Sequence, residues 1–353
     1  MAENKFPSIN PNLSNRKKRE DKSLNAEALF KGIAQSDRVS LGRAITLIES
    51  HLPAHKTQAN KLLESCLSLG KSAIRIGITG TPGVGKSTFI EAYGQFLIEQ
   101  GHRVAILAID PSSSVSGGSI LGDKTRMEKL SNREEAFIRP SPAGDSLGGV
   151  ARKTRETILL CEAAGFDRIL IETVGVGQSE TAVHSMVDFF MLLLLPGAGD
   201  ELQGIKRGIV EMADLFVVNK SDGDRVALAK QTRRSYRNAL HLFPPKENGW
   251  TPSIVSCSAL EGSGIEELNL LLEDYIHQAS DSGYLSSNRK KQAQYWFNER
   301  IQEQLLSRFE QDPMVAKWLP EYLLKIDTLK TTPFIAADQL IRKFLNHDDR
   351  NEH

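Results

Sequence analysis

Residues 74–89 of the sequence, IRIGITGTPGVGKSTF, constrain the fold more than any other stretch. A β-rich run leads into a glycine-rich turn, and residues 80–87 match the pattern G-x-x-x-x-G-K-[ST] at every position. Glycines let backbone N–H groups curl toward an anion without a Cβ in the way, and a following helix adds the positive end of its dipole. Apolar residues at helical spacing come next. The sequence therefore predicts a strand, a phosphate-binding loop and a helix.

Two side chains of this loop are expected to carry most of its chemistry. Lys86 should reach the β- and γ-phosphates of a nucleotide, and Ser87 should offer its hydroxyl to Mg²⁺. A glycine-rich turn without a ligand is the weaker interpretation, because both the strand and the helix that the motif requires are present. The residues predicted to contact the nucleotide here are Gly80, Thr81, Pro82, Gly83, Val84, Gly85, Lys86, Ser87 and Thr88.

Length and composition narrow the class of protein. With 353 residues, 40% of them apolar, the chain has room for one nucleotide-binding domain plus extra elements. The 44 Lys and Arg residues balance 44 Asp and Glu residues, so no overall field draws the protein to nucleic acid or to a membrane. The longest apolar run, 189–195, is too short to span a bilayer. We predict neither nucleic acid nor a membrane as a partner.

Cysteine usage and the N-terminal residues bear on location. Cys66, Cys161 and Cys257 lie far apart without metal-ligand spacing, which indicates a reducing compartment without disulfides. Residues 1–24 are polar, mix basic and acidic side chains, and hold no apolar stretch of signal-peptide length. We predict a disordered tail on a cytoplasmic protein. A mitochondrial transit peptide is the weaker alternative, because of the acidic residues.

Hydrophobic periodicity divides the rest of the chain. Residues 25–72 have helical periodicity and predict an N-terminal extension, while residues 73–279 alternate β-rich runs with helices or glycine-bounded polar segments. That alternation is typical of an α/β fold with a parallel sheet covered on both faces, here a P-loop NTPase sheet with helical extensions at both ends. The predicted strands are 74–79, 103–109, 167–172, 188–195, 213–219 and 252–257.

The C-terminal region, 280–353, is predicted to be helical. Residues 280–283, SDSG, indicate a linker before it. Packing within the chain and a homodimer arm explain its apolar stripes equally well, because a short helical tail has little surface of its own to bury against. The stripes comprise Phe297, Ile301, Leu305, Phe309, Phe334, Ile341, Phe344 and Leu345.

The motif N-K-x-D at residues 219–222 follows a β-rich run and predicts which base is bound. In GTPases with this motif, the carboxylate accepts two hydrogen bonds from guanine N1 and the exocyclic amine. Adenine cannot supply that pair, since a carboxylate only accepts. Asp222 is therefore predicted to select guanine, with Asn219 and Lys220 beside it; a plain surface turn is the alternative.

A second loop is predicted to complete the guanine site. Residues 256–260, SCSAL, follow the last predicted strand, and backbone N–H groups around Ala259 are expected to meet the base oxygen. This short pattern is weak evidence for a guanine-binding loop when taken alone. Its position after the N-K-x-D motif strengthens that evidence. Its predicted contact residues are Ser258, Ala259 and Leu260.

Three carboxylates at or near strand ends are candidates for holding Mg²⁺. Ligands bind at the carboxyl ends of parallel strands, and Mg²⁺ prefers oxygen ligands. Asp110 follows the second predicted strand, with a turn residue as its alternative role. Asp123 follows a Ser/Gly-rich stretch, with a helix N-cap as its alternative role. Glu172 ends another strand and begins an E-x-x-G motif where most GTPases have D-x-x-G. Gly175 of that motif offers its N–H to the γ-phosphate.

Taken together, these motifs resemble those of the methylmalonyl-CoA mutase-associated GTPases, the MeaB/ArgK family. The resemblance covers roughly residues 25–345. It implies hydrolysis of GTP to GDP and phosphate, a fold similar to metallochaperone GTPases, and a homodimer formed through C-terminal helices. The implied partner is an adenosylcobalamin-dependent acyl-CoA mutase, whose cofactor loading the GTPase gates and which it protects or reactivates. The runs that carry the resemblance are 80–88, 110–113, 117–126, 172–180 and 196–206.

The same resemblance assigns roles to individual positions. Lys86, Asp110, Asp123 and Glu172 match the family's catalytic and Mg²⁺ positions, and residues 197–206 match a third switch loop that couples nucleotide state to the partner. In Ras-like proteins a Gln directly after the D-x-x-G glycine orients the attacking water, but Val176 follows Gly175 here. The water-orienting residue stays open. We expect slow intrinsic hydrolysis that the partner accelerates.

Two other functions compete with this interpretation. A nickel-delivery GTPase shares the fold and a Glu at the same strand end, but usually brings a His-rich tract or a Cys/His pair, and the eight His residues here are scattered. An ATP-dependent kinase of an arginine/ornithine transport system is the second rival. Selection of guanine by Asp222 argues against it. The chain has no D-x-H-x-x-G cobalamin motif, so the partner is expected to hold the cobalamin.

Overall fold

The computed structural model describes residues 25–50, 52–109, 127–140, 147–173, 179–197, 207–240 and 245–351. By their contacts, the residues fall into two compact units, one ending at Leu285 and the other beginning at Ser286. Within the described ranges, no helix is both long enough and apolar enough to cross a membrane.

The first unit is built on a seven-stranded sheet in which all neighbours are parallel, in the order β3-β2-β4-β1-β5-β6-β7. The central strands are almost continuously apolar, as a sheet covered on both faces requires, and β5 is buried at every position. The predicted α/β fold is confirmed. The strands are β1 Ile74–Gly80, β2 Val104–Ile109, β3 Ala136–Arg139, β4 Arg168–Thr173, β5 Phe189–Leu194, β6 Leu215–Val218 and β7 Ser253–Ser256.

Strand β3 was not among the six predicted strands. It has four residues, pairs only with β2, and forms one edge of the sheet. The run Ala-Phe-Ile-Arg is at the lower limit of what alternation can reveal, and charged residues precede it. Pairing with β2, rather than a local pattern, makes this stretch a strand.

Helices cover both faces of the sheet and bury two apolar clusters. Alternate residues of β6 face opposite sides: Val217 joins the cluster that contains Phe89 and Leu268, and Phe216 joins the one that contains Tyr236. The helices after β1 are α4 Lys86–Glu99, α5 Glu128–Ser131, α6 Leu147–Ala163, α7 Ser179–His184, α8 Arg207–Met212, α9 Val226–Leu240 and α10 Ile265–Asp281.

Three helices precede the sheet: α1 Ala26–Ala34, α2 Arg38–Glu49 and α3 Pro53–Leu67. Asn25 and Asp37 cap the first two through their side chains, and Pro53 opens the third in the first turn, where its missing N–H breaks no helical bond. The guanidinium of Arg38 donates to the carbonyl of Arg133 at 3.0 Å, just before β3. Arg139, the last residue of β3, pairs with Glu49 of α2.

The second unit contains most of α11 Tyr284–Gln311, together with α12 Pro313–Asp327 and α13 Pro333–Asn351. The linker predicted at 280–283 is wrong: α10 continues to Asp281, and a two-residue turn with Gly283 at φ +70° leads directly into α11. The turn is short because Ala279 and Tyr284, on its two sides, pack into the same apolar cluster.

The residues of the predicted apolar stripes in this region differ in burial: some pack within the unit and others are exposed. Phe309 and Phe344 pack edge-to-face within the unit, with ring centroids 5.2 Å apart. Phe297 and Phe334, by contrast, are 67% and 82% exposed. The unit therefore buries part of its apolar surface internally and leaves the rest on its outside.

Candidate functional site

The phosphate-binding motif forms the turn between β1 and α4 at the carboxyl edge of the sheet. Gly83 and Gly85 adopt left-handed backbone conformations, with φ of +81° and +92°. A Cβ on Gly80 would lie 2.7 Å from the carbonyl oxygen of Leu193 on β5, and one on Gly85 would lie 3.1 Å from Asn219 Nδ2. Backbone conformation and close packing thus both require glycine in this turn.

Lys86 opens α4 and folds back over the loop. Its Nζ donates to the carbonyl oxygen of Gly80 at 2.9 Å and lies 3.5 Å from that of Thr81. Burial lowers the pKa of the Lys86 ammonium, and the carboxylates of Glu172 and Glu180 oppose that shift. The loop therefore contains a largely buried cation that phosphate oxygens could pair with.

Ser87 and Glu172 meet at the end of β4, with 3.4 Å between Ser87 Oγ and Glu172 Oε1. At the next position of each strand, the Thr173 hydroxyl donates to Thr79 Oγ1 at 2.8 Å and joins β4 to β1. Ser87 and Glu172 both offer hard oxygen ligands, and their separation is close to the roughly 3 Å between neighbouring ligands of an octahedral Mg²⁺. The residues present fit Mg²⁺.

A complete Mg²⁺ shell would need further ligands. Across the described ranges, no group of three or more His, Cys, Asp or Glu side chains is gathered to hold a metal ion. Asp110, Asp123 and Gly175 lie outside the described residues, as do residues 198–206 of the loop compared with a third switch. Phosphate oxygens, water or the two aspartates would have to complete the shell.

The N-K-x-D motif follows β6 and contacts the phosphate-binding loop directly. Asn219 Nδ2 donates to the carbonyl of Val84 at 2.9 Å, and Lys220 Nζ donates to the carbonyl of Gly83 at 2.7 Å. Lys220 has a positive φ of +57°, which turns the chain sharply after the strand. The two predicted binding loops are therefore one connected structure.

The carboxylate of Asp222 is held by the second guanine loop. The Ser258 hydroxyl donates to Asp222 Oδ2 at 2.5 Å and accepts from the Glu261 backbone N–H at 3.2 Å. The backbone N–H of Ala259 donates to Asn219 Oδ1 at 3.2 Å, so this group braces the motif rather than standing open for a base. Leu260 is exposed beside them. Every predicted guanine-site residue thus lies at this edge.

A cavity of about 380 Å³ runs alongside α4 next to these loops. Thr88 of the phosphate-binding motif and Ala259 and Leu260 of the guanine loop line one part of it, and Glu91 and Lys129 line another. Most of its lining comes from α4 and from residues 259–265, so the cavity lies beside the predicted nucleotide site.

Two residues near the site were not predicted from the sequence. Glu180, in the first turn of α7, is 2% exposed, and its carboxylate opposes the lowering of the Lys86 pKa by burial. Thr232 of α9 accepts a hydrogen bond from the Gly197 backbone N–H at 2.9 Å. Glu180 ends the run 172–180, which carries part of the family resemblance, so the sequence could have indicated it. No local sequence pattern indicates Thr232.

Comparison with known proteins follows this geometry. The family model described as methylmalonyl Co-A mutase-associated GTPase MeaB matches residues 41–314. The GTPase ArgK of Escherichia coli is 44% identical over 308 residues, which cover 87% of this chain and 93% of that protein. The mouse protein named "methylmalonic aciduria type A homolog, mitochondrial" is 46% identical over 328 residues, which cover 90% of this chain and 79% of the mouse protein.

A solved structure agrees with the sequence relatives. The crystal structure of a LAO/AO transport system kinase superposes with a TM-score of 0.73 at 36% identity, covering 93% of this chain and all of that one. The family match extends from the N-terminal helices through the phosphate and guanine loops into α12. The protein described here is a P-loop GTPase and belongs to the MeaB family.

Proposed function

We propose that this GTPase is a chaperone for an adenosylcobalamin-dependent acyl-CoA mutase, with methylmalonyl-CoA mutase as the first candidate. It gates loading of the cobalamin cofactor and protects or reactivates the mutase. The observation that carries this proposal is the family match over residues 41–314, because the family is named for its association with that mutase. The name of the mouse relative, which refers to methylmalonic aciduria, supports the same assignment.

The proposed nucleotide site uses the residues gathered at the sheet edge. Lys86 pairs with the β- and γ-phosphates, and backbone N–H groups of residues 80–88, together with that of Gly175, surround them. Bound Mg²⁺ would neutralise charge that develops on the phosphates. Ser87 and Glu172 would hold it, with Asp110 and Asp123 as further ligands.

Base selection is proposed to rest on Asp222. Its carboxylate, oriented by the Ser258 hydroxyl, accepts from guanine N1 and the exocyclic amine. Asn219 and Lys220 position this loop against the phosphate-binding turn, so the base and phosphates bind to one braced unit. An ATP-dependent transport-system kinase would not need a carboxylate at this position, because adenine cannot donate the two hydrogen bonds that Asp222 accepts. Competition between ATP and GTP for the wild-type protein distinguishes the two functions.

The C-terminal helices are proposed to form a homodimer. Several large apolar side chains of these helices are exposed, and a second copy of the chain would cover them symmetrically. The exposed apolar residues of α11 to α13 and their connections are Tyr295, Phe297, Ile301, Leu305, Leu306, Leu319, Leu323, Leu324, Leu329, Phe334, Ile335, Ile341 and Leu345.

Communication with the mutase is proposed to use the loop that starts at Gly197. It leaves β5 at the same sheet edge as the phosphate-binding turn, so the bound nucleotide could influence the loop over a short distance.

We place the protein in the cytoplasm, since Cys66, Cys161 and Cys257 are free, buried thiols. Cell fractionation tests that location.

A pull-down tests the chaperone function. The full-length protein is immobilised and exposed to purified methylmalonyl-CoA mutase with GDP, with a non-hydrolysable GTP analogue, or with no nucleotide. Retention of the mutase that depends on which nucleotide is present supports the proposal. Absence of retention under all three conditions, with GTP hydrolysis intact, rejects this mutase as the partner.

A further inference from the structure

One side of α9 concentrates positive charge. The helix contains four basic and no acidic residues, although the 44 basic and 44 acidic residues of the whole chain balance. Lys230, Arg233, Arg234 and Arg237 follow at the spacing i, i+3, i+4 and i+7, which places them on one side of the helix. These four residues are called the basic side of α9 below.

One of these charges is paired within the chain. Arg233 Nη2 lies 2.9 Å from Glu267 Oε1 on α10. Within the ranges that the structure describes, Lys230, Arg234 and Arg237 form no ion pair, and all three are exposed. Arg237 is in the last turn of α9, where the helix dipole favours a cation, but Lys230 and Arg234 precede that turn. Neither an ion pair nor the dipole uses Lys230 or Arg234, so both are available to a partner.

A cavity of about 320 Å³ lies next to the basic side of α9. Arg233 and Arg237 line it from α9, residues 251–255 line it from β7 and the preceding loop, and α10 closes it. Its volume is at the lower end of the roughly 300–1,000 Å³ of ligand pockets, which suits one or two side chains better than a large cofactor. The apolar part of its lining consists of Leu240, Pro252, Ile254, Val255 and Leu271.

The combination of charge and cavity favours an acidic protein segment over nucleic acid. The basic side of α9 extends over seven residue steps, or roughly 10 Å of helix, which is short for a nucleic-acid groove. Tyr236, the one aromatic residue of α9, is buried, so the helix offers no ring on which bases could stack. A phosphate backbone would leave the apolar cavity empty, whereas an apolar side chain of an acidic peptide could fill it.

We propose that the basic side of α9 and the adjoining cavity form a docking site for an acidic segment of a partner protein. Carboxylates of the segment pair with Lys230, Arg234 and Arg237, and one of its apolar side chains enters the cavity between α9, β7 and α10. The exposed cations also attract the segment over a Debye length of roughly 8 Å at physiological salt. This site uses none of the nucleotide motifs and does not depend on the mutase.

Binding of a synthetic peptide to the full-length protein tests the site. The probe is a fluorescein-labelled peptide of glutamates with a central leucine, and its affinity is measured by fluorescence anisotropy at low salt. We expect the double variant Arg234→Glu, Arg237→Glu to bind it at least about tenfold more weakly than the wild type, because repulsion replaces attraction. The variant Arg234→Gln, Arg237→Gln should weaken binding about threefold, and it covers the case in which the charge-reversed protein folds poorly. No binding to the wild type, or equal affinity of all three proteins, would overturn the proposal.

Matched comparisons separate this site from a general effect of charge. Arg43→Glu together with Lys56→Glu changes the net charge equally at exposed positions of α2 and α3, and should leave peptide affinity within about twofold of wild type. Replacing the leucine of the peptide by glycine should weaken binding at least about threefold, because the cavity loses its apolar occupant. An equal loss of affinity in the control variant, or equal affinity of the leucine and glycine peptides, would overturn the proposal.

Other occupants of the basic side of α9 would give different results. A single-stranded DNA oligomer that binds tighter than the glutamate peptide, and loses affinity in the Arg234→Glu, Arg237→Glu variant, would assign this surface to nucleic acid. A sedimentation coefficient that falls in the same variant without peptide would assign it to a second copy of the chain. Either result overturns the proposal. GTP affinity of each variant should stay within about twofold of wild type, because Arg234 and Arg237 lie outside the proposed nucleotide site.

Discussion

The backbone N–H of Gly197 donates to Thr232 Oγ1 at 2.9 Å, and the same hydroxyl donates to the carbonyl of Leu228 at 3.0 Å. Gly197 is the last described residue after β5, and Thr232 is buried in α9, the helix that follows the guanine motif. A Cβ on Gly197 would lie 3.1 Å from Leu228 Cδ2. The start of the proposed switch loop is therefore hydrogen-bonded to the helix that follows the N-K-x-D motif.

Replacing Thr232 should weaken this connection without touching the nucleotide. Thr232→Val keeps the shape but leaves the Gly197 N–H without its acceptor, at a cost of about 1–3 kcal/mol to the local structure. We expect intrinsic GTP hydrolysis to stay within about twofold of wild type while stimulation by the mutase falls several-fold. Thr232→Ser, which keeps the hydroxyl, is the control. Equal stimulation of all three proteins would contradict the coupling.

Substitution of Asp222 should change which base is preferred. Asp222→Asn replaces an acceptor by a donor, and each lost charged hydrogen bond to guanine costs about 1.5–3 kcal/mol. We expect GTP to bind at least tenfold more weakly and xanthosine triphosphate to gain in comparison, measured by competition. Asp224→Asn, two residues further on in the exposed turn, is the control. Equal affinity of the wild type for ATP and GTP would rule out selection of guanine by this loop.

Substitutions of Lys86 and Glu172 should affect nucleotide affinity and turnover differently. Lys86→Ala removes positive charge at the phosphates, so both nucleotide affinity and turnover should drop sharply. Glu172→Ala should also abolish turnover but leave GDP affinity nearly intact, because its partner across 3.4 Å is the proposed Mg²⁺ ligand Ser87. Titration of the Mg²⁺ requirement in both variants checks this difference. Wild-type hydrolysis by Glu172→Ala would show that its assigned role is wrong.

Charges on the exposed face of α11 should separate the proposed dimer. Phe297 and Leu305 are 67% and 62% exposed, and Glu at both positions would bury charge in a contact between copies. We expect analytical ultracentrifugation to show a dimer for the wild type and a monomer for the double variant. GTP affinity should be unchanged, since the nucleotide motifs precede Glu261. Val39→Glu, on the exposed face of α2, is the control, and a monomeric wild type at micromolar concentration would contradict the dimer.

A methyl group at Gly77 should destabilise the sheet. The Cβ of Gly77→Ala would lie 2.6 Å from Phe190 Cδ2 and 3.1 Å from Val183 Cγ1, so we expect a loss of about 1–3 kcal/mol in the free energy of unfolding. Gly42→Ala in α2 meets no heavy atom within 4 Å and should instead stabilise by about 0.5–1 kcal/mol. Chemical denaturation of the two variants provides the comparison, and equal stabilities would contradict this account of the packing.

The sequence was most informative where backbone geometry dictates residue type. The phosphate-binding turn could be predicted because a side chain at Gly80 would clash with the Leu193 carbonyl and Gly85 has a positive φ, so both positions favour glycine and leave a recognisable pattern. The positions of the N-K-x-D loop and of the loop at 256–260 could be predicted because each comes at the end of a strand with a buried apolar centre. Lys86, Ser87, Glu172 and Asp222 lie where that logic placed them, at one edge of the sheet.

Long-range packing set the limits of prediction. Strand β3 exists because β2 pairs with it, and the contact between Thr232 and Gly197 joins residues 35 positions apart that share no motif. The turn at 282 and 283 has a linker composition and is exposed, but Ala279 and Tyr284 on its two sides pack into one apolar cluster and keep it short. In each case a contact that is distant in sequence, or apolar burial on both sides, overrides the local pattern.

The bonds between the N-terminal helices and β3 affect how the protein unfolds. Arg38 reaches the chain just before this edge strand and Glu49 holds its last residue, so the strand is fastened at both ends by helices that precede the sheet. Loss of those helices would remove both of these bonds from β3 and uncover the side of α6 against which α2 and α3 pack. Heating should therefore melt helices and sheet in one calorimetric transition. We therefore expect a fragment that begins at β1, without α1 to α3, to be less stable than the full-length protein.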